Sequence, residues 1–191
     1  METKHVFIGE YINKSPRERA SILLRNYKDF KKYRERYKRN AVSLMAAMRE
    51  YSLRPSDEDL GIRVQTTGGT SNITASKALE RVCLERCFED MKVSKEMFPD
   101  PYELSLISTA VYEWDLMKKE YGILVRFIDI MKPQDRKIYL PYIRREKSVA
   151  DLTHELCLEW ESVRKRLYRI RKKLLKEVLP WFDEYNITVP A

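Results

Sequence analysis

The sequence has few of the residues that make tight turns or disulfides, with five glycines and three cysteines among 191 residues. Antiparallel sheets need frequent tight turns that favour glycine, so this scarcity argues against an all-β fold. Cys83, Cys87 and Cys157 are an odd number, which argues against a disulfide framework. We expect reduced thiols, buried at Cys83 and Cys87, because no His or Cys pair follows them at a structural zinc spacing.

Long apolar runs and a targeting segment are also missing. No stretch reaches the eighteen or so apolar residues of a membrane span, and residues 1–10 lack the apolar core of a signal peptide. We therefore expect a soluble, cytoplasmic protein with no membrane partner.

The sequence offers no set of residues for catalysis. Its two histidines, His5 and His154, belong to no constellation with a nucleophile or carboxylate. The pair Gly68-Gly69 lacks the Lys-Ser/Thr ending of a Walker loop. We predict a protein that is not an enzyme and that has no catalytic residue, no cofactor and no metal.

Positive charge is abundant and unevenly spread. The net charge is +8 and the pI is about 9.3. Residues 132–179 carry fourteen Lys and Arg against seven Asp and Glu, whereas residues 62–131 carry nine against eleven. A dense basic segment attracts polyanions, because neutralising their phosphates releases condensed counterions. Charge alone does not choose among DNA, RNA and an anionic membrane surface.

Local signals favour helices from the start of the chain. A helix is predicted to begin at Ser15-Pro16, because Ser15 is a good cap, proline suits the first helical position and Glu18 completes a capping box. Apolar residues continue at helical spacing to Met48 but are interrupted at residues 31–39. One long helix and two shorter helices remain alternatives.

The middle of the chain is predicted to hold a polar loop and two helices. Residues 65–72 are too polar for a core element, and Thr74 is expected to cap a helix that runs to about Met91. Residues 102–131 place apolar side chains at steps of three and four throughout, which indicates a core-facing helix. A bend at Gly122 is left open.

The last third reads as three helices joined by short connections. One follows Pro133, a short one begins at Ser148, and a long one begins at about Glu161. A short helix, a tight turn and a longer basic helix are what a protein needs to present one helix to the major groove of DNA. The buried face of the last helix is predicted to comprise Val163, Leu167, Ile170 and Leu174.

These signals together predict an all-α protein. Its parts are an N-terminal helical arm at residues 1–60, a linker and central helices at 61–131, and a helix-turn-helix domain with a tail at 132–191. The last helix is expected to end before Pro180, and three aromatic residues that follow it are expected to fold back over the core: Trp181, Phe182 and Tyr185.

Two groups of residues carry a family resemblance. The segments KPQDRKIYL at 132–140, SVADL at 148–152 and VRKRL at 163–167 resemble sigma-factor region 4. Upstream, GGTSNIT at 68–74 leads into a helix, and this arrangement resembles phage transcriptional regulators of the RinA/ArpU type. Together the resemblance covers roughly residues 61–179.

The resemblance implies a sequence-specific activator of phage late and packaging genes. Such a protein acts on double-stranded DNA in the bacterial host cytoplasm and contacts RNA polymerase. The residues expected to face base edges are Glu161, Ser162, Arg164 and Lys165. Those expected to meet phosphates are Tyr168, Arg169, Lys172, Arg144, Arg145 and Lys147.

This chain departs from the family pattern in the turn. Cys157 stands where glycine is usual, and Glu159 stands where a small hydroxyl residue usually caps the recognition helix. An acidic group near a helix N-terminus is still favoured by the helix dipole. The departures bear on the geometry of the turn and on the transfer of base-contact positions.

Other functions are compatible with the same pattern. The first alternative is the DNA-recognition subunit of a phage terminase, which also joins a helix-turn-helix to oligomerising helices. The second is a helical adaptor that binds RNA polymerase or another protein without reading DNA. Residues 27–39, which mix tyrosines with cations, are a candidate second nucleic-acid surface, and a homo-oligomer is left open.

Overall fold

The computed structural model describes residues 8–52 and 73–184, and every regular element in these ranges is an α-helix. The predicted all-α class is confirmed. Tyr185, the polar segment 65–72 and most of the motif at 68–74 lie outside the described residues. In chain order the helices are α1 (Pro16–Arg25), α2 (Phe30–Ser52), α3 (Ile73–Glu89), α4 (Pro101–Asp129), α5 (Pro133–Ile143), α6 (Val149–Leu156) and α7 (Trp160–Glu184).

The N-terminal segment forms two helices rather than one. The capping box predicted at the start of α1 is present: Ser15 Oγ accepts a hydrogen bond from the Glu18 amide, and the Glu18 carboxylate accepts one from the Ser15 amide at 2.9 Å. Asn26 ends α1 with its own amide bonded back to carbonyls of the last turn. The chain then turns and enters α2 at Phe30.

The two central helices lie close to their predicted bounds. α3 begins at Ile73, so Thr74 is its second residue and does not cap it. α4 covers Pro101–Asp129 and continues through Gly122 without a break. Most of its predicted apolar stripe is buried: Ile107, Val111, Trp114, Met117, Leu124 and Ile128.

The expectation of buried thiols on α3 is wrong. Cys83 is exposed and Cys87 is only half-buried. The buried face of this helix is formed instead by Leu84 and Phe88. Because 100° separates neighbouring helical residues, Cys83 points away from that face.

Contacts between Cα atoms divide the described residues into two units. The first holds residues 8–9, 35–52 and 73–112, and the second holds residues 10–34 and 113–184. Each unit joins segments that are distant in sequence, whereas the division expected from the sequence followed chain order. All of α5, α6 and α7 belong to the second unit.

In the first unit, α2 and α3 are antiparallel neighbours. Successive residues of α2 form ion pairs with residues that lie progressively earlier in α3, as expected of antiparallel helices. The core of this unit includes Tyr37, Met45 and Phe88. The carboxylate of Glu89 raises the pKa of Lys38 by accepting its hydrogen bond. Three ion pairs join α2 to α3: Lys38–Glu89 at 2.7 Å, Arg49–Glu80 at 3.0 Å and Glu50–Lys77 at 3.2 Å.

In the second unit, an ion pair is buried at the centre. Arg19 of α1 and Glu120 of α4 are 1% and 0% exposed, and Arg19 Nη2 lies 2.8 Å from Glu120 Oε1. The Tyr11 hydroxyl donates to the same carboxylate at 2.6 Å. Arg19 also donates to the carbonyls of Lys14 and Phe182, at 2.9 and 3.3 Å. Burial, followed by the charge of Glu120, raises the pKa of Tyr11, so its hydroxyl stays protonated and keeps donating.

The tail prediction is wrong in one respect. α7 does not stop before Pro180 but continues through it to Glu184. Phe182 is completely buried, as expected of a cover, whereas Trp181 is 48% exposed. Helix continuation keeps Val178 and Phe182 on one buried face, and this packing offsets the hydrogen bond that proline removes.

Two of the three tyrosines in residues 27–39 belong to the core, and the third, Tyr33, is half-buried. Tyr27 and Tyr37 are at most 7% exposed. Arg34 interrupts the apolar pattern because it packs across an aromatic ring, with its Cζ 3.4 Å from the centroid of Trp114. Stacking on nucleic-acid bases is therefore ruled out for these two tyrosines.

Among the described residues, no helix combines the length and the apolar character that crossing a membrane requires.

Breaking the buried ion pair tests how strongly it supports the second unit. Arg19→Met is expected to lower the free energy of unfolding by about 3–5 kcal/mol, because the buried Glu120 carboxylate loses the cation that compensates its charge. Arg19→Met combined with Glu120→Gln removes both charges, leaves an acceptor for Tyr11, and should recover part of the stability. Urea unfolding followed by circular dichroism measures this.

The control is Arg17→Met, an exposed arginine on the same helix, which should change stability by less than about 0.5 kcal/mol. If the loss of stability in the double variant equals the sum of the losses from Arg19→Met and Glu120→Gln alone, this account of the pair is contradicted.

Candidate nucleic-acid interface

The short helix α6 is fixed at its start by a complete capping box. Ser148 Oγ accepts a hydrogen bond from the Asp151 amide at 3.2 Å, and Asp151 Oδ2 accepts one from the Ser148 amide at 2.7 Å. Hydrogen bonds from Ser148 lower the pKa of Asp151. The predicted helix start at Ser148 is confirmed, and Leu152 is the fully buried residue that anchors the helix.

The turn between α6 and α7 contains only residues 157–159. Cys157 occupies the left-handed region with φ 51° and ψ 39°, the conformation for which glycine is usually chosen. Its amide and that of Leu158 bond back to carbonyls near the end of α6. The Glu159 carbonyl accepts the first helical hydrogen bond of α7, from Val163, at 3.1 Å. The chain therefore makes the tight turn without a glycine.

The long helix α7 has an apolar face and a basic face. It packs against α1, α5 and α6, and all four residues predicted to face the core are buried: Val163, Leu167, Ile170 and Leu174. The predicted DNA-facing residues of the helix are all exposed: Glu161, Ser162, Arg164, Lys165, Tyr168, Arg169 and Lys172.

The first turns of α7 hold their side chains in local pairs. Lys165 Nζ lies 2.9 Å from Glu161 Oε2, and both side chains are about 70% exposed. The Arg164 guanidinium lies over the ring of Trp160, with 4.6 Å from Cζ to the ring centroid. Trp160 is itself 50% exposed. An exposed ion pair is worth at most about 1 kcal/mol, so these groups can exchange partners for a ligand at little cost.

The three cations between α5 and α6 do not act as one group. Arg145 has a φ of 55° and donates from Nη2 to the Arg25 carbonyl of α1 at 3.0 Å. Arg144 lies 3.9 Å from the Glu146 carboxylate, and Lys147 pairs with Glu155. Only Arg145 shares a groove with cations of α7.

That groove was missed by reasoning from the sequence. It has a volume of about 560 Å³ and lies between α1, α5, α6 and α7. Arg145 and Arg164 line it, together with residues that the sequence did not assign, namely Ser21, Arg25 and Arg171. Tyr139 contributes to its floor, and burial raises the pKa of this phenol to about 12. The sequence could not predict this groove, because α1 lies more than 100 residues upstream of α5, α6 and α7.

Comparison of the chain with family models, curated proteins and solved structures finds no match in any of the three.

Replacing Cys157 tests the tight turn. Cys157→Gly is expected to raise the free energy of unfolding by about 1 kcal/mol, because it relieves a left-handed conformation that a Cβ disfavours. Cys157→Val should lower it, since a β-branched residue tolerates positive φ least. Urea unfolding measures both. A glycine variant less stable than the parent would contradict the proposed geometry.

Removing the cap of α6 tests its pH dependence. Ser148→Ala should cost about 1 kcal/mol of stability at neutral pH. The folded-state pKa of Asp151 is lowered below 3.8 by its bonds from Ser148. The associated stability is therefore present above pH 3.8 and disappears as the pH falls through the lowered value.

The difference in the free energy of unfolding between the parent and Ser148→Ala should therefore become smaller as the pH falls below 3.8. Unfolding at a series of pH values measures this difference. Ser43→Ala, at an exposed position within α2, is the matched control and should show no such trend. A difference in the free energy of unfolding that stays constant to the lowest pH would contradict the role of Asp151.

Proposed function

We propose that this chain is a sequence-specific double-stranded DNA-binding protein that regulates transcription, with α7 as its reading helix. The observation that carries the proposal is the exposed basic face of α7, which follows directly after a capped short helix and a three-residue turn. An α-helix of this kind fits the major groove, where the base pairs present distinguishable patterns of donors and acceptors.

The burial and placement of the aromatic side chains favour duplex DNA over single strands. Proteins that bind single strands stack bases on exposed aromatic rings. Tyr27 and Tyr37, in the aromatic and basic stretch of α2 and its approach, are buried. The exposed aromatic residues of α7, Trp160 and Tyr168, are flanked by cations along one helix rather than spread over a platform.

The exposed residues of α7 divide into two roles. Glu161, Ser162, Arg164 and Lys165 lie in the first turns, where recognition helices contact base edges. Arginine and lysine recognise guanine, and a carboxylate accepts from the amino group of cytosine. Because Glu161 and Lys165 form an exposed pair, both can turn to neighbouring bases. Residues farther along contact phosphates: Tyr168, Arg169 and Lys172.

The regulatory role rests on the resemblance to phage regulators and to sigma-factor region 4. On this reading the protein activates late and packaging genes from a site near their promoter and contacts RNA polymerase there. The side chains of the α7 N-terminus are exposed and held only in weak local pairs, which is consistent with a protein that reads DNA.

Selection of bound sequences from a random duplex pool tests whether the protein recognises a sequence or is only attracted to the charge of DNA. The parent protein is expected to enrich one sequence and to hold it at a salt concentration that strips random duplex. Arg164→Ala combined with Lys165→Ala should weaken binding of the selected site by about 1–3 kcal/mol for each side chain that reads a base, and should relax specificity at the positions those side chains read.

The matched control is Lys95→Ala combined with Lys118→Ala, which removes the same charge from exposed positions outside α7 and outside residues 27–39. Unchanged binding of the selected site by the Arg164 and Lys165 variant would refute α7 as the reader. If the protein binds duplex without enriching any sequence, and this binding is lost as the salt concentration rises, the adaptor is favoured. A ring-sized oligomer that binds a packaging start without activating a promoter would favour the terminase subunit.

A further inference from the structure

A continuous basic groove runs along α7 on the side that faces α1. Its first part, of about 560 Å³, reaches from Arg164 to Arg171 on α7. A second part, of about 500 Å³, continues past Arg171 to Leu179. The two parts share Ser21, Tyr168 and Arg171, so they form one track, which we call the α1–α7 groove.

Every charged residue that lines the α1–α7 groove is positive. No carboxylate lines either part. None of its cations forms an ion pair with a carboxylate of the described residues, whereas many other lysines and arginines of the structure do. The cations are Arg17 and Arg25 of α1, Arg145 of the α5–α6 turn, and Arg164, Arg171, Lys172 and Lys176 of α7.

Two of the guanidinium groups are held in place by contacts between elements. Arg171 Nη2 donates to Ser21 Oγ of α1 at 3.1 Å. Arg145 Nη2 donates to the Arg25 carbonyl at 3.0 Å. Each of these bonds uses only part of a guanidinium that carries five donors. The remaining donors are available to a ligand in the groove, which both side chains line.

We propose that the α1–α7 groove binds consecutive phosphates of one strand of the duplex whose bases α7 reads. This inference rests on the proposed function and extends the interface to α1, which lies outside the helix-turn-helix. Arg164 and Lys176 are twelve residues apart, about 18 Å along a helix. A strand of B-DNA rises about 3.4 Å per nucleotide along the duplex axis. Because its phosphates wind around that axis they lie farther apart along the strand, and a groove of this length spans a few consecutive phosphates.

Continuity with the reading face favours DNA over an acidic protein segment. Arg164 and Tyr168 line the α1–α7 groove and also line the surface around the start of α7, together with Glu161, Lys165 and Arg169. A strand that enters the groove therefore passes directly beside the base-reading residues. Phosphate contacts of this kind fix the register of a protein on the duplex without reading its sequence.

The test uses Arg17→Ala combined with Arg25→Ala, both exposed and both on α1. Affinity for the selected duplex and for random duplex should fall by the same factor. The slope of log affinity against log salt should become shallower by about 0.9 for each phosphate that the variant no longer neutralises. The control is Lys95→Ala combined with Lys118→Ala, which removes equal charge from exposed positions outside the groove and should leave the slope unchanged.

The outcomes separate the two proposals. If the parent binds duplex but the α1 variant keeps its affinity and salt slope, the groove proposal fails and α7 reading survives. If the parent binds no duplex, both fail. A glutamate-rich peptide that binds the parent more tightly than duplex at equal salt, and that the α1 variant no longer binds, would assign the groove to an acidic protein and overturn the inference. Thermal melting of each variant checks that the fold is retained.

Discussion

The ion pair between Arg19 and Glu120 is the interaction on which the second unit depends. Removing both charges from water is costly, and only good geometry with further hydrogen bonds offsets the cost. Here the carboxylate also accepts from Tyr11, and the guanidinium also bonds the carbonyls of Lys14 and Phe182. One buried cluster thus fixes α1 against α4 and against the end of α7.

This arrangement explains why α7 can present a free surface. Its C-terminal part is anchored by buried Val178 and Phe182, and its N-terminal part by Val163 and Leu167. Packing on one face leaves the opposite face to solvent along the length of the helix. Because α1 is fixed by Arg19, its own cations line a groove beside α7 instead of projecting elsewhere. A site built on packed helices holds its side chains more exactly than a site on loops.

Local signals in the sequence predicted the helices well, because apolar spacing, the capping box at Ser15 and the helix start at Ser148 act over a few residues. The cap expected at Thr74 was wrong, since α3 already begins at Ile73. The two faces of α7 followed from the same spacing. The pairing of Arg19 with Glu120, 101 residues apart, left no local pattern, and so α1 was not expected at the interface. The exposure of Cys83 and the passage of α7 through Pro180 were likewise decided by packing, which outweighs residue preference.

In the proposed complex, α7 reads duplex DNA while the α1–α7 groove holds its backbone. The structure of the protein bound to its selected duplex tests this most directly. We expect the first turns of α7 in the major groove, with Arg164 and Lys165 at base edges, and phosphates beside Arg25 and Arg171. A duplex bound through another surface, with α7 free in solvent, would contradict the account.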